Sequence, residues 1–135
     1  GFFLYSGPAY GTQHDEIDWE FFGQDTYTAQ VAWFKNGQIQ EHKINLGFDA
    51  AEDHHDYAIE WYPNKIRWFV EKKLVFEAIE DIPQSPQRLF LNLWAADPSI
   101  SNWAGLANPK KLVLGTEALV SHVQFIPFNL EADGT

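Results

Sequence analysis

Three carboxylates alternate with large apolar side chains in one short stretch of the chain. Glu16, Asp18 and Glu20 are separated by single apolar residues, Ile17 and Trp19. Successive side chains of a β-strand point to opposite faces, so this spacing predicts a row of three acids with an apolar face behind it. Because each carboxylate raises the cost of ionising its neighbours, the row favours a chemical role over a purely stabilising one.

A row of carboxylates could cleave glycosidic bonds by double displacement. That reaction needs one carboxylate as nucleophile and a second as proton donor, and a third acid between them could modulate both. Two other interpretations are a solvated acidic edge strand and a calcium cluster. Calcium loops space their acids around a glycine-containing turn, which the bulky Ile17 and Trp19 fit poorly.

The composition limits the classes of protein to which the chain can belong. Its 135 residues carry a formal net charge of −10, which disfavours nucleic acid and membrane as partners and is compatible with a neutral polymer. Aromatic residues make up 16 % of the chain, enough for a thick sandwich core and for surfaces on which sugars stack. The chain has no cysteine and hence no disulfide framework.

Short alternating segments between turn residues predict an all-β protein. The Asn36-Gly37 pair is typical of a tight hairpin turn, and no segment has a convincing helical period. Eight or nine short strands of this kind predict an antiparallel β-sandwich. Besides the acidic strand within 14–23, the predicted strands are 2–5, 29–34, 38–44, 56–61, 66–70, 74–78, 88–94 and 118–128.

The predicted strand 88–94 has two different faces. One carries three leucines and is expected to belong to the core, whereas the other places an amide between two aromatic rings, as suits a sugar cleft. These faces consist of Leu89, Leu91 and Leu93, and of Phe90, Asn92 and Trp94, respectively. A long loop is predicted at 95–115, and 129–135 is expected to be a frayed tail.

With these segments in hand, the chain resembles glycoside hydrolase family 16, in the lichenase branch of bacterial endo-β-1,3-1,4-glucanases. Segment 14–23, HDEIDWEFFG, matches the signature of that branch. It has the form without the one extra residue that laminarinase- and agarase-like members usually carry between the last Asp and the last Glu. The hairpin 57–70, YAIEWYPNKIRWFV, and the segment 91–94, LNLW, also carry the resemblance. It extends over nearly the whole of residues 2–128.

The resemblance implies a fold and an organisation. The fold is an antiparallel β-sandwich of the concanavalin-like jelly-roll type, in which residues 1–135 form the C-terminal portion of a single domain. The family domain has several earlier strands, so the sandwich is expected to be incomplete in this chain and to be completed by a partner chain or by self-association. The resemblance also implies a secreted, extracellular protein, although the chain itself carries no signal-peptide pattern.

The resemblance assigns roles by position. It implies that Glu16 is the nucleophile, that Glu20 is the general acid/base, and that Asp18 is a modulator that hydrogen-bonds to both and tunes them. We expect the charges of Glu16 and Asp18 to keep Glu20 protonated near neutral pH. The residues implied to line the sugar cleft are Trp33, Asn92, Trp94 and Trp103.

Several residues depart from the family pattern or have no predicted role. Ala32 stands where lichenases usually carry an Asn, so one sugar contact is expected to be missing. Ser121 stands at the position of an Asp that binds a structural calcium ion in the family, so neither calcium nor another metal or cofactor is expected. The histidines lack metal-ligand spacing and are expected to be structural or solvated; they are His14, His42, His54, His55 and His122.

The function implied is endo-acting, retaining hydrolysis of β-glucan, with mixed-linkage β-1,3-1,4-glucan or its oligosaccharides as substrate. Two alternatives stay open, a cell-wall transglycosylase on the same scaffold and a non-catalytic sugar-binding module. The transglycosylase branches usually carry cysteines, so their absence here favours the hydrolase. The intact set of Glu16, Asp18 and Glu20 argues against the binding module.

Overall fold

The computed structural model describes residues 1–128, which contain eight strands and two short helices. The strands are β1 (Phe2–Ser6), β2 (Asp15–Phe21), β3 (Thr28–Lys35), β4 (Gln38–Asn45), β5 (Tyr57–Tyr62), β6 (Lys65–Val70), β7 (Lys73–Ala78) and β8 (Arg88–Leu91). The helices are α1 (Ser101–Ala104) and α2 (Pro109–Leu114), and single 3₁₀ turns lie at Pro8–Tyr10 and Pro98–Ile100. Within this part of the chain, neither helix is long and apolar enough to cross a membrane.

The strands form two antiparallel sheets. The larger has the order β4-β3-β2-β1-β8 and the smaller has the order β5-β6-β7. Asn36 and Gly37 join β3 to β4 with positive φ angles of 50° and 81°, as a two-residue hairpin turn requires. The predicted all-β antiparallel sandwich is therefore confirmed. The acidic strand β2 lies at the centre of the larger sheet.

The core lies between β2 and β3 of the larger sheet and the whole of the smaller one. Ile17, Trp19, Ile66 and Trp68 are fully buried in it. Trp19 Nε1 donates to the carbonyl oxygen of Ala58 across the two sheets at 3.1 Å. This bond pairs an indole N–H group and a carbonyl oxygen that burial would otherwise leave without partners. The apolar half of the alternation in β2 thus holds the two sheets together.

The leucine face of the strand predicted at 88–94 is not core. The strand ends at Leu91, and the exposed fractions of Leu89, Leu91 and Leu93 are 36 %, 46 % and 55 %. The residues opposite them, Phe2 and Leu4, continue the apolar face of β2. However, β8 is the far edge of the sheet, whereas the smaller sheet packs over β2 and β3. The expected completion of the sandwich by a partner chain or by self-association stays a prediction, which light scattering on the chain checks.

Two further predictions about the last third of the chain differ from the structure. The predicted loop 95–115 contains α1 and α2, each short enough to escape a search for helical period, and Asn108 Oδ1 caps α2 by accepting from the Lys110 amide at 3.0 Å. The segment 118–128 is not a strand, because it joins no ladder of either sheet. The expected tail 129–135 lies outside the described residues.

Candidate active site on the central strand

Glu16, Asp18 and Glu20 lie on one face of β2, here called the acidic face, as the alternation predicts. Their neighbours directly across the sheet on β1 and β3 share this face. Asp18 lies between Phe3 and Ala32. The neighbours of Glu16 are Tyr5 and Phe34, and the β3 neighbour of Glu20 is Gln30.

Asp18 is the most deeply buried of the three acids, with an exposed fraction of 3 %. Burial first, and then the charge and hydrogen bond of Glu16, raise the pKa of Asp18 to about 10. Asp18 is therefore a neutral carboxylic acid at pH 7, able to donate its proton in a hydrogen bond. From the core, Trp68 Nε1 donates to the main-chain oxygen of Asp18 at 2.9 Å, so the smaller sheet supports the centre of the acidic face.

Glu20 lies at the end of the row, half-buried. Burial raises its pKa, and the charge of Glu16 adds to that rise. The expectation that the charge of Asp18 also keeps Glu20 protonated is wrong, because Asp18 is itself neutral. Of the two carboxylates expected to act on Glu20, only Glu16 carries the charge.

Glu16 has a partner that the sequence analysis missed. His14 Nε2 contacts Glu16 Oε2 in a short hydrogen bond, so the expectation that His14 has no role at the site needs correction. The signal was present in the spacing, because residues two apart on an extended segment point to the same side. Metal-ligand spacing, on which the expectation for the histidines was based, does not reveal a hydrogen bond between a histidine and a carboxylate.

Next to Glu20 is an open pocket rich in aromatic side chains, here called the aromatic pocket. The rings of Trp94 and Trp103 stack there with centroids 6.2 Å apart and planes at 29°. The side chains of Asn92 and Glu20 both lie beside Gly1, which lines the pocket. The pocket is lined by Gly1, Glu20, Phe21, Phe22, Gly23, Leu93, Trp94, Ala96, Trp103 and Ala104. Three of the four residues predicted to bind sugar therefore lie close to Glu20.

Gln30 positions the indole of Trp103 and was also missed. Its exposed fraction is 4 %, its Oε1 accepts from Trp103 Nε1 at 3.1 Å, and its Nε2 donates to Glu41 Oε2 at 3.2 Å. A buried amide that uses both ends fixes the orientation of both partners. Its role arises from a contact 73 residues away along the chain, which no local pattern reveals.

Trp33, the fourth predicted sugar-binding residue, lies on the opposite face of the sheet. It is paired with Ile17 across β2 and β3, its exposed fraction is 8 %, and its ring packs against Trp68 with centroids 5.6 Å apart. Its Nε1 donates to the main-chain oxygen of Glu80 at 3.2 Å. Trp33 is a core residue, because its register with Ile17 turns it towards the smaller sheet.

The structure also shows where the two residues that depart from the family pattern lie. Ala32 is buried directly across from Asp18 and presents only a methyl group there. Ser121 lies in an exposed irregular segment. Among residues 1–128, no group of three His, Asp or Glu side chains is arranged to hold a metal ion. The expectation of a metal-free and cofactor-free site stays a prediction.

One protein family matches most of the chain. Residues 1–110 match the family described as "Glycosyl hydrolases family 16". A protein named "Beta-glucanase" from Bacillus licheniformis is 45 % identical over 108 residues, covering 79 % of this chain and 44 % of the relative. The chain thus spans about half the length of the curated relatives that it matches.

Solved structures give the same result for the fold. A Bacillus licheniformis beta-glucanase structure has a TM-score of 0.77 and 44 % identity, covering 80 % of this chain and 50 % of that one. A prokaryotic beta-1,3-1,4-glucanase (lichenase) from a mouse hindgut metagenome has a TM-score of 0.74 and 42 % identity, covering 78 % and 49 %.

Proposed function

Because the chain belongs to glycosyl hydrolases family 16, we propose that it supplies the reactive carboxylates of an endo-acting, retaining enzyme that cleaves mixed-linkage β-1,3-1,4-glucan. Its similarity to a protein named beta-glucanase and to a solved beta-1,3-1,4-glucanase supports the substrate class. The observation that supports the reaction most directly is the row on β2, where a neutral Asp18 separates Glu16 from Glu20.

In the first step, Glu16 is the nucleophile and Glu20 is the acid. A carboxylate oxygen of Glu16 bonds to the anomeric carbon while the glycosidic C–O bond breaks, and its electron pair goes to the leaving oxygen. Glu20 gives its proton to that oxygen, as its raised pKa allows. The Cα atoms of the two residues stand about 13 Å apart along an extended strand, so their side chains must lean towards each other over Asp18 to reach the roughly 5.5 Å of a retaining pair.

In the second step, Glu20 acts as the base. It takes a proton from water, whose oxygen bonds to the anomeric carbon on the face from which the first sugar left. The ester bond to Glu16 breaks and returns its electron pair to the carboxylate, so the product keeps the β configuration. Glu20 can reverse its role because the charge of Glu16, which raises the pKa of Glu20 in the free enzyme, is absent from the ester.

Asp18 contributes as a neutral donor. Its hydrogen bond to Glu16 orients the nucleophile without adding a second negative charge to the anomeric centre. A charged Asp18 would repel the ionised Glu16, whereas the neutral acid stabilises it. The modulator therefore acts through its proton, which burial retains.

A transglycosylase is the second candidate function, and the position of the aromatic pocket favours it. The leaving sugar departs on the side of Glu20, and an acceptor must enter from that side. Trp94 and Trp103 offer stacking surfaces there, so an acceptor sugar could displace water in the second step. Product lengthening on added oligosaccharide acceptors would distinguish this activity from release of reducing ends.

The experiment that tests the proposal combines product analysis with two matched variants. The chain should release reducing ends from mixed-linkage glucan, and Glu16→Ala and Glu20→Ala should each lower turnover by about a thousandfold or more. With an activated aryl β-glycoside, azide should rescue Glu16→Ala to give an α-glycosyl azide, because azide replaces the nucleophile. Glu20→Ala should give the β-glycosyl azide, because azide then attacks the glycosyl-enzyme.

Several results would contradict the assignment. Unchanged turnover in Glu16→Ala would exclude this residue as the nucleophile. Exchange of the two azide products would reverse the roles of Glu16 and Glu20. Binding of glucan without turnover of any substrate would favour the sugar-binding module.

A further inference from the structure

His14, which ends the loop before β2, is held in place by its main chain. Its carbonyl oxygen accepts from the Gly37 amide at 2.7 Å. The next residue, Asp15, accepts from the Asn36 amide at 2.8 Å and from the Ser85 amide at 3.2 Å. The β3–β4 turn and the loop before β8 therefore fix the backbone from which the imidazole projects.

The imidazole is also held by its faces. It stacks on the ring of Phe34 from β3 with centroids 4.1 Å apart and planes at 24°. From β1 the ring of Tyr5 meets it edge-on at 5.5 Å and 61°. These contacts restrict the rotation of the ring and direct its Nε2 atom towards Glu16. A side chain that served only as a filler at this position would not need a donor aimed at a carboxylate.

The groups that face His14 come from three strands. Glu16 faces it along β2, the phenol-bearing ring of Tyr5 faces it from β1, and the uncharged ring of Phe34 faces it from β3. Glu16 Oε2 therefore has His14 Nε2 as its side-chain hydrogen-bond partner. A donor held in place by its own backbone and ring contacts limits the orientations of the carboxylate to which it binds.

We propose that His14 is a positioning residue, whose Nε2–H orients the Glu16 carboxylate for attack and stabilises its ionised form. This inference rests on the proposed function, since it concerns the same nucleophile. It assigns His14 no contact with the substrate. The bond holds the carboxylate in one orientation as the nucleophile approaches the anomeric carbon.

Two substitutions separate the donor from the ring. His14→Phe keeps a flat ring between Phe34 and Tyr5 but removes the donor, whereas His14→Gln keeps a side-chain N–H and removes the ring. With an activated aryl β-glycoside, His14→Phe should lower kcat by about ten- to a hundredfold, as loss of one hydrogen bond to a charged group implies. KM should change by less than about threefold, because the bond is made to the nucleophile and not to the sugar.

Rescue by the variant that keeps a donor provides the readout that a structural role would not change. In His14→Gln, kcat should return towards that of the wild type, whereas His14→Phe should stay impaired. An unchanged kcat in a folded His14→Phe variant would overturn the proposal. The same applies if His14→Gln is as impaired as His14→Phe, since the donor would then be irrelevant.

A second measurement does not depend on activity. Nitrogen-15 NMR of the imidazole distinguishes a proton on Nε2 from one on Nδ1. The neutral ring of His14 should carry its proton on Nε2 in the wild type and lose this preference in Glu16→Ala. A proton on Nδ1 in the wild type would overturn the inference even if the chain is active, whereas an inactive chain with the expected tautomer would refute only the proposed function.

Discussion

The two faces of β2 use burial in opposite ways. On the apolar face, Ile17 and Trp19 are fully buried, and each square ångström removed from water contributes about 25 cal/mol to stability. On the acidic face, Asp18 is almost as deeply buried, but there burial raises its pKa to about 10. The same strand therefore gains stability from one set of alternate residues and, in the proposed reaction, reactivity from the other.

The two faces are not independent, because a residue of the core reaches the backbone of the acidic face. Trp68 belongs to β6 and is fully buried, yet its indole donates to the main-chain oxygen of Asp18. Packing between the sheets therefore also fixes the strand position from which the three acids project. The position of the three acids therefore depends on the rigid apolar layer beneath them.

The largest expected effect on stability comes from a substitution on the apolar face alone. Trp19→Ala should lower the free energy of unfolding by about 3–5 kcal/mol, because it leaves a large cavity between the sheets. Turnover per folded molecule should fall much less than in Glu16→Ala, since Trp19 points away from the acids and acts on them only through the position of the strand. Urea unfolding followed by tryptophan fluorescence measures the first quantity, and an assay normalised to folded protein measures the second.

A matched variant provides the control for that prediction. Trp19→Phe keeps most of the ring volume and loses the bond to Ala58, so it should cost much less stability than Trp19→Ala. Equal losses in the two variants would mean that the hydrogen bond, and not the packing of the ring, holds the sheets together.

The next effect, on the acidic face, is a dependence of stability on pH. The pKa of Asp18 is about 10 in the folded chain against an ordinary value of 3.8, so the folded state keeps a proton that the unfolded state releases. The contribution of Asp18 is complete below about pH 4 and is lost as the pH rises towards 10, by at most about 1.4 kcal/mol per pH unit. Asp18→Asn cannot titrate, so its free energy of unfolding should fall less steeply with pH.

Urea unfolding of the wild type and of Asp18→Asn at about pH 5, 7 and 9 checks this slope. Glu20, whose pKa is also raised, contributes a fall of the same sign in both proteins and therefore cancels in the comparison. Parallel curves for the two proteins would mean that Asp18 is ionised in the folded state, and the neutral-donor role would then be wrong.

The smallest expected effects, on stability and on KM, distinguish two tryptophans on opposite faces of the sheet. Trp33→Phe loses the donor to Glu80 within the core, and Trp103→Phe loses the donor to Gln30 beside the aromatic pocket. Trp33→Phe should lower the free energy of unfolding by about 1 kcal/mol and leave KM unchanged. Trp103→Phe should raise KM by about two- to tenfold, because the stacking surface loses its orientation. A KM effect confined to Trp33→Phe would contradict its placement in the core.

Much of the fold could be predicted from local patterns. The period-two alternation of β2 and the Asn36-Gly37 turn are local signals, and both agree with the structure. The spacing of Glu16, Asp18 and Glu20 placed them on a common face for the same reason. Such signals succeed because side-chain direction in a strand depends only on parity along the chain.

The predictions that differ from the structure concern segments in which alternation along the chain does not show which face is buried. Segment 29–34 is mostly apolar on both sides, so only the register of β3 with β2 shows that Trp33 lies with Ile17. Leu89 and Leu91 have the pattern of core residues, but their exposure depends on how far the smaller sheet extends. Segment 118–128 has strand composition and no ladder partner among the described residues.

The sequence by itself determined that β2 has an acidic side and an apolar side, because alternation is a property of the extended backbone. Only the tertiary structure decided what each acid does. Burial makes Asp18 neutral, His14 is brought into contact with Glu16, and Trp94 and Trp103 are gathered beside Glu20. Protonation and contact depend on what surrounds a side chain, and those surroundings come from strands and loops distant along the chain.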